Sequence, residues 1–319
     1  MSDAEPKLEA TFYAFKKRDQ RFVMTKLGVA YYVLAVAAAA AFFALAWPAL
    51  TELAGWYFST IGAVSGGGEA TAPPANVLVS IAPYYAGIIV VSVVLFAMFE
   101  AACLRWLVRG EAGGGFLGLK FDADTLRILG VYLAWIAYAI VLTLAITIFY
   151  ALIFALGSLG GPAQFIAILI GALSPVGIAA LMIWLGVLFA PAAATTIGRR
   201  KFSFFSARKV VGKRFWPLLT AFFLIIVAYL VISTILSTIA QIPMNQAMVP
   251  VTSAIISGAD GEEIVRQMQT VLSSPIVLGS LAVQMLANMV LGVVYYVAMF
   301  GANARAFEAA VEAGDIERG

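Results

Sequence analysis

Residues 199–216 read RRKFSFFSARKVVGKRFW and carry seven of the chain's twenty Lys and Arg residues within eighteen positions. Uncharged runs flank the stretch on both sides, 128–198 before it and 215–259 after it. A dense cationic band between apolar runs is the pattern of a cytoplasmic loop between membrane spans, because short loops rich in Lys and Arg stay on the cytoplasmic side. The band therefore fixes both the architecture and the direction in which the chain faces.

Composition agrees. Of 319 residues, 63% are hydrophobic and 12% charged, whereas a soluble domain is about 45–50% apolar and about 25% charged. Further uncharged runs cover 53–68, 70–99 and 267–304. A span needs roughly 20 apolar residues to cross a hydrocarbon core about 30 Å thick, so the run 128–198 holds two. The expected fold class is an all-α integral membrane protein with six transmembrane helices, at about 27–47, 77–104, 125–156, 163–197, 217–242 and 275–304. This transmembrane domain, 27–305, lies between an interfacial segment, 1–26, and an acidic tail, 306–319, with Glu308, Glu312, Asp315 and Glu317.

Nineteen of the twenty Lys and Arg fall in 1–26, 105–127, 199–214 and 305–319, and only Arg266 falls on the other side. The positive-inside rule predicts that both termini are cytoplasmic and that the protein is a multi-pass component of a bacterial inner membrane. The sequence Ala44-Leu45-Ala46 looks like a cleavage site, but the leader before it is too long and too mixed in charge, which predicts a retained first span.

Connecting segments carry local signals. In 7–26, Leu8, Phe12, Phe15 and Phe22 share a helical face, with Lys16, Lys17, Gln20 and Arg21 elsewhere and Asp19 intruding. This reads as an interfacial helix, with a solvated basic leader as the alternative. The first span is expected to end near Trp47-Pro48, before an outer loop over 49–76 with Trp56, Tyr57, Phe58, Gly66–Gly68 and Pro73-Pro74. Residues 110–121, GEAGGGFLGLKF, match neither a P-loop nor a dinucleotide fingerprint. Asp122 or Asp124 can cap the third span, and Ser174-Pro175 is a predicted kink in the fourth. The run Asp260-Gly-Glu-Glu263 predicts a short outer helix over 261–272.

An internal repeat is also suggested. The segments MFEAACLR (98–105), LFAPAAAT (188–195) and MFGANAR (299–305) align, as do FYAFKK (12–17) and FFSARK (204–209). The reading is three helical-hairpin units, about 8–110, 115–200 and 203–310, each entered by a cytoplasmic amphipathic segment. Chance likeness among Ala- and Phe-rich helices is the alternative. A real repeat predicts that the ends of the even spans converge, with small residues there (Ala101, Ala102, Ala192–Ala194, Gly301, Ala302, Ala304) permitting close approach.

The chain has no histidine and one cysteine, Cys103. That removes His-based acid–base catalysis, His metal sites and Ser–His or Cys–His nucleophiles. No catalytic, cofactor-binding or metal-binding residue is predicted, and no nucleic-acid partner. Glu100 is the one carboxylate within a predicted span, and such a residue is by default a functional hypothesis. One reading pairs it at the interface with Arg105, Arg305 or the basic loops. The other makes Glu100, Arg105, Asn303 and Arg305 an intramembrane polar cluster, a gate or headgroup contact. Gln164, Gln284 and Asn288 are expected to make interhelical hydrogen bonds. Lys16, Lys17, Arg199, Arg200, Arg208, Lys209, Lys213 and Arg214 are candidate contacts for anionic phospholipid headgroups, with topological anchoring as the alternative.

The six-span plan, with a segment reading FFSARKVVGKRFW (204–216) before a span, resembles bacterial inner-membrane proteins of the YciC type. It is also similar to the membrane domain fused to glycerophosphodiester phosphodiesterases, whose hydrolase half has no counterpart here. The resemblance implies a membrane module without catalysis of its own. The expected function is a non-enzymatic accessory or scaffold protein in the bilayer, binding a membrane-protein partner, a second copy of itself or anionic lipid. A small transporter or lipid-handling protein with a path between the hairpins is the alternative.

Overall fold

The computed structural model describes residues 10–16, 22–65, 67–69, 72–257, 259 and 261–319. Most of the predicted basic leader, including Leu8, Lys17, Asp19, Gln20 and Arg21, lies outside the described residues, as do Gly66 and Asp260. In chain order the α-helices are α1 Tyr13–Lys16, α2 Val23–Ser65, α3 Ala75–Leu104, α4 Ala123–Gly157, α5 Gly161–Phe189, α6 Ala192–Gly198, α7 Ala207–Val211, α8 Phe215–Ala247, α9 Val249–Ile256, α10 Gly261–Leu272 and α11 Pro275–Glu312. A π-helical turn, Arg105–Arg109, ends α3. Six stretches are long and apolar enough to cross a membrane, so the chain is a multi-pass membrane protein: Val23–Ile61, Ala75–Arg109, Ala123–Gly157, Gly161–Gly198, Phe204–Ala247 and Pro275–Glu312. In hydrocarbon every backbone polar group must be satisfied within the segment, and helices do this. Large apolar side chains such as Leu133, Ile140, Phe154, Phe165 and Leu173 project outward from α4 and α5, as lipid-facing residues must.

Proline positions decide where the helices differ from expectation. α2 does not end at Pro48 but runs through it, 43 residues in all; the good helix formers Leu50, Glu52, Leu53 and Ala54 follow the proline directly, and the helix passes Gly55 and Gly62 to stop only before Gly67. Gly67 N–H and Gly68 N–H close that end on Val64 O and Ala63 O. α5 contains Pro175, the position expected as a kink within the fourth span. The proline frees the carbonyl of Gly171, and the Ser174 hydroxyl donates to it at 3.0 Å. The real break in the fourth span comes at Pro191, between α5 and α6. The acidic tail is helical as far as Glu312.

The chain divides into two compact units. The first comprises residues up to Leu27, Ala97–Leu224 and Val297–Gly319; the second comprises Gly28–Phe96 and Ile225–Tyr296. In the first, the small residues Ala101, Ala102, Ala192, Ala193, Ala194, Gly301, Ala302 and Ala304 are all buried, and the even spans meet pairwise at their basic ends. Phe99 packs on Phe300 with ring centroids 5.8 Å apart, Arg109 Nη1 donates to Ile197 O at 3.4 Å, and a Cβ at Gly198 would stand 2.3 Å from the Phe307 ring. Segment 204–211 docks on this unit. Phe204, Ala207, Val210 and Val211 are buried, and Phe204 stacks on Phe189 at 5.1 Å and meets Trp135 edge-on. Its apolar face is thus covered by protein rather than by lipid.

The second unit is held by an aromatic set, Tyr31–Phe96–Tyr296 and Tyr229–Tyr295. The Tyr32 hydroxyl donates to Met289 O. A separate apolar cluster of Val251, Ala254, Ile264, Val271 and Val277 joins α9, α10 and the start of α11. α9 was not expected from the sequence, whereas α10 covers the predicted 261–272.

Candidate functional site at the charged ends of the spans

The charged site grows from three local signals. The π turn widens the last turn of the second span so that Arg105 and Arg109 lie beside the start of α4. Gly110, with φ of 69°, closes the turn through its N–H on Trp106 O at 3.0 Å. Asp122 then caps α4, accepting from the N–H groups of Asp124 and Thr125 at 3.1 Å each, which satisfies donors that a helix start leaves orphaned. The Thr125 hydroxyl fixes the loop by donating to Lys120 O at 3.1 Å.

Ion pairs tie these pieces together. Arg105 pairs with Asp122, and Arg109 and Arg127 pair with Asp124. Arg105 also stands 4.0 Å from Asp124, Arg109 3.1 Å from Glu111, Lys120 3.2 Å from Asp122, and Arg200 2.8 Å from Glu111. The Arg105 side chain is 3% exposed and that of Asp124 7%. Such pairs are strongly coupled, because removing one partner leaves a charge buried without compensation. Partial burial pushes the Asp122 carboxyl upward, but the Thr125 N–H, the Arg105 guanidinium and Lys120 outweigh this and hold it below the usual aspartate value.

Glu100 is buried, and its carboxylate accepts from the Tyr132 hydroxyl on α4. The expected pairing with Arg105 or Arg305 is not the arrangement found. Arg105 is claimed by Asp122, and Arg305 Nη1 donates to both carboxylate oxygens of Glu312 at 3.1 Å. The reason is proximity: a helix start brings Asp122 within reach of Arg105, and helical continuation of the tail brings Glu312 to Arg305. Asn303 is buried, and its Oδ1 has no hydrogen-bond partner among the described residues. Gln164 and Asn288 are exposed and Gln284 half-buried, and no interhelical side-chain hydrogen bond links them among the described residues.

The headgroup candidates divide into two sets. Arg199 donates to the hydroxyls of Ser206 and Ser203 at 3.0 and 3.4 Å, Arg200 is held by Glu111, and Arg214 pairs with Asp315 at 2.7 Å while donating to Ala309 O at 2.9 Å. Arg208, Lys209 and Lys213 are exposed and have no carboxylate partner among the described residues. Phe205 and Trp216, each 70% exposed, flank them. Lys16 is exposed, and Lys17 lies outside the described residues.

Sequence reading anticipated the Asp122 cap but not the charge network. Its signal was the recurrence of Arg105 and Arg109 four residues apart, opposite Asp122 and Asp124 two residues apart. No group of His, Cys, Asp and Glu able to hold a metal ion occurs among the described residues. Comparison of the chain with protein-family models, with curated proteins and with solved structures finds no match.

Proposed function

We propose that this chain is a non-enzymatic accessory or scaffold protein of a bacterial inner membrane, with both termini cytoplasmic and a basic collar that engages anionic phospholipid and positions a membrane-protein partner. The observation that carries the reading is the exposed trio Arg208, Lys209 and Lys213 beside Phe205 and Trp216. Cations without carboxylate partners, next to outward aromatic rings, suit the headgroup layer, where rings sit at the interface and ammonium groups meet lipid phosphates. The segment's buried face, Phe204, Ala207, Val210 and Val211, is spent on the protein itself, so what it offers the headgroups is its cations together with the outward rings of Phe205 and Trp216. The pairwise approach of the even spans also suits a pseudo-threefold repeat of hairpins, and the resemblance to YciC-type proteins supports a module without catalysis.

The test is native mass spectrometry of protein purified in mild detergent and offered phosphatidylglycerol or phosphatidylcholine. Retention of phosphatidylglycerol that falls in the triple variant Arg208→Gln, Lys209→Gln, Lys213→Gln supports the reading. Equal retention of both lipids refutes it, and a stoichiometric protein in the same spectra identifies the partner.

A transporter reading has one observation in its favour: the buried Glu100–Tyr132 pair in the same unit as the unsatisfied Asn303 Oδ1. Glu100→Gln should abolish flux in liposomes on that reading, and unchanged flux removes it.

A further inference from the structure

The geometry points to a binding site for one phosphate-bearing anion at Arg105 and Arg109, beneath the glycine-rich loop 110–118. It deepens the lipid-engaging reading by locating a site distinct from the exposed collar.

Arg105 is nine-tenths buried, yet its Nε and Nη2 have no hydrogen-bond partner among the described residues, and the buried Nε of Arg109 has none there either. A buried guanidinium presents five donors in a rigid fork that matches phosphate and carboxylate. Asp122 takes only Nη1 of Arg105, whereas Asp124, Glu111 and Ile197 O engage both terminal nitrogens of Arg109 and leave its Nε. Leaving such donors unmet costs the desolvation of each, so an unpaired set signals a missing acceptor. The surrounding network holds five cations against three carboxylates: Arg105, Arg109, Lys120, Arg127 and Arg200 against Glu111, Asp122 and Asp124. The excess of two positive charges suffices for a phosphodiester headgroup, with its one negative charge, and for inorganic phosphate, with about two.

The loop adds a second observation. A Cβ at Gly113 would stand 2.3 Å from Gly118 O and 3.5 Å from Arg105 Nη2. Glycine at 113 is required by the close pass of the Gly118 carbonyl, and it brings this turn of the loop into contact with the Arg105 guanidinium. Gly115 and Gly118, with φ of 89° and 101°, hold the loop in conformations that other residues rarely adopt. The N–H groups of residues 112–115 make no backbone hydrogen bond among the described residues and three of the four residues are exposed, and backbone N–H groups in a glycine turn are the usual complement of Arg in an anion site. The loop is not a P-loop by sequence, since no strand precedes it; the resemblance is one of chemistry alone.

The anion is either a lipid headgroup or a free phosphate, and one experiment separates them. Full-length protein in a neutral detergent is titrated with inorganic phosphate, with phosphatidylglycerol, and with chloride at matched ionic strength, while its thermal midpoint is followed. A saturable rise with either phosphate compound, absent with chloride, supports the site. A response to inorganic phosphate identifies an anion reachable from water; a response to phosphatidylglycerol alone identifies a headgroup. Arg109→Lys keeps the pair with Asp124 but removes Nε–H, and it should weaken binding about tenfold, the worth of one charge-assisted hydrogen bond. Should that variant fail to fold, Gly114→Asp replaces it. Its Cβ meets nothing within 4 Å, and its carboxylate competes for the same donors, so binding should again fall at least about tenfold. Lys209→Gln with Lys213→Gln removes collar cations, so a response to phosphatidylglycerol that is lost in this variant and kept in Arg109→Lys belongs to the collar and overturns the site. No saturable response, or one that survives both Arg109→Lys and Gly114→Asp, overturns the site. A site lost in this way while the collar's lipid preference persists leaves the scaffold reading standing.

Discussion

Replacing Asp124 by Asn is the sharpest perturbation of the charged site. Asp124 is paired with Arg109 and Arg127 and stands 4.0 Å from the buried Arg105. The amide keeps the size but removes the charge, leaving two largely buried guanidiniums facing one carboxylate fewer. Breaking a buried pair from one side costs about 3–5 kcal/mol. Asp315→Asn removes the partner of Arg214 at a position 47% exposed, where the cost is about 0–1 kcal/mol. Cys103, the chain's one cysteine, is fully buried two residues before Arg105, and so serves as an internal reporter of opening. Where opening and closing are fast relative to labelling, the labelling rate follows the open population. At about 1.4 kcal/mol per factor of ten, a thiol-reactive dye should label Asp124→Asn roughly two to four orders of magnitude faster than the wild type. Asp315→Asn should stay within about fivefold. Adding Arg109→Gln to Asp124→Asn should recover part of the loss, because the stranded charge goes with it. If Asp124→Asn labels no faster than Asp315→Asn, the network is not what joins the second and third spans.

Other perturbations act on separate parts of the same unit. Phe204→Ala removes a ring that is 1% exposed and stacked on Phe189; a loss of about 3–5 kcal/mol is expected, read as a lower thermal midpoint and release of segment 204–211 to limited proteolysis. Gly198→Ala drives a methyl against the Phe307 ring and should cost about 1–3 kcal/mol by overpacking, with Phe307→Leu in the same chain restoring part of it. Acidification tests Asp122. Its folded value lies below the ordinary aspartate value of about 3.9, so its contribution is fully present above that value and fades as pH falls through the lower folded one. Asp122→Asn should be less stable than the wild type at neutral pH, and the gap should close on the acid side in tryptophan-fluorescence melts. A gap independent of pH rules out the charge as its source.

How much of this could be read from residues alone differs by level. Six crossings follow from run length, because a hydrocarbon layer demands about 20 apolar residues whatever the tertiary packing. Helix ends did not follow as well. Pro48 looked like a stop but sits inside a helix, since a membrane punishes an unpaired backbone more than it punishes a kink, whereas Pro175 lies within its helix as a kink position would. Pro191 looked innocuous and is the real break. The Asp122 cap was legible because its rule is local. The pairing of Arg105 with Asp122, seventeen residues apart, was not, since a closer acid, Glu100, sat on the same helix. Burial separates them: Glu100 accepts from a tyrosine within the span, while the arginines turn toward the loop. The headgroup set was legible as composition, but only packing divides Arg199, Arg200 and Arg214, engaged within the chain, from Arg208, Lys209 and Lys213, which face outward.

The length of α2 has a practical consequence. Forty-three residues at 1.5 Å each make a rod of about 64 Å, about twice the thickness of the oily layer it enters. Its far third, carrying Glu52 and the aromatic pair Trp56 and Tyr57, is obliged to stand in the headgroups or in water. An epitope tag spliced in after Val64 should therefore be accepted without disturbing the crossings, and gives antibodies a handle beyond the oily layer.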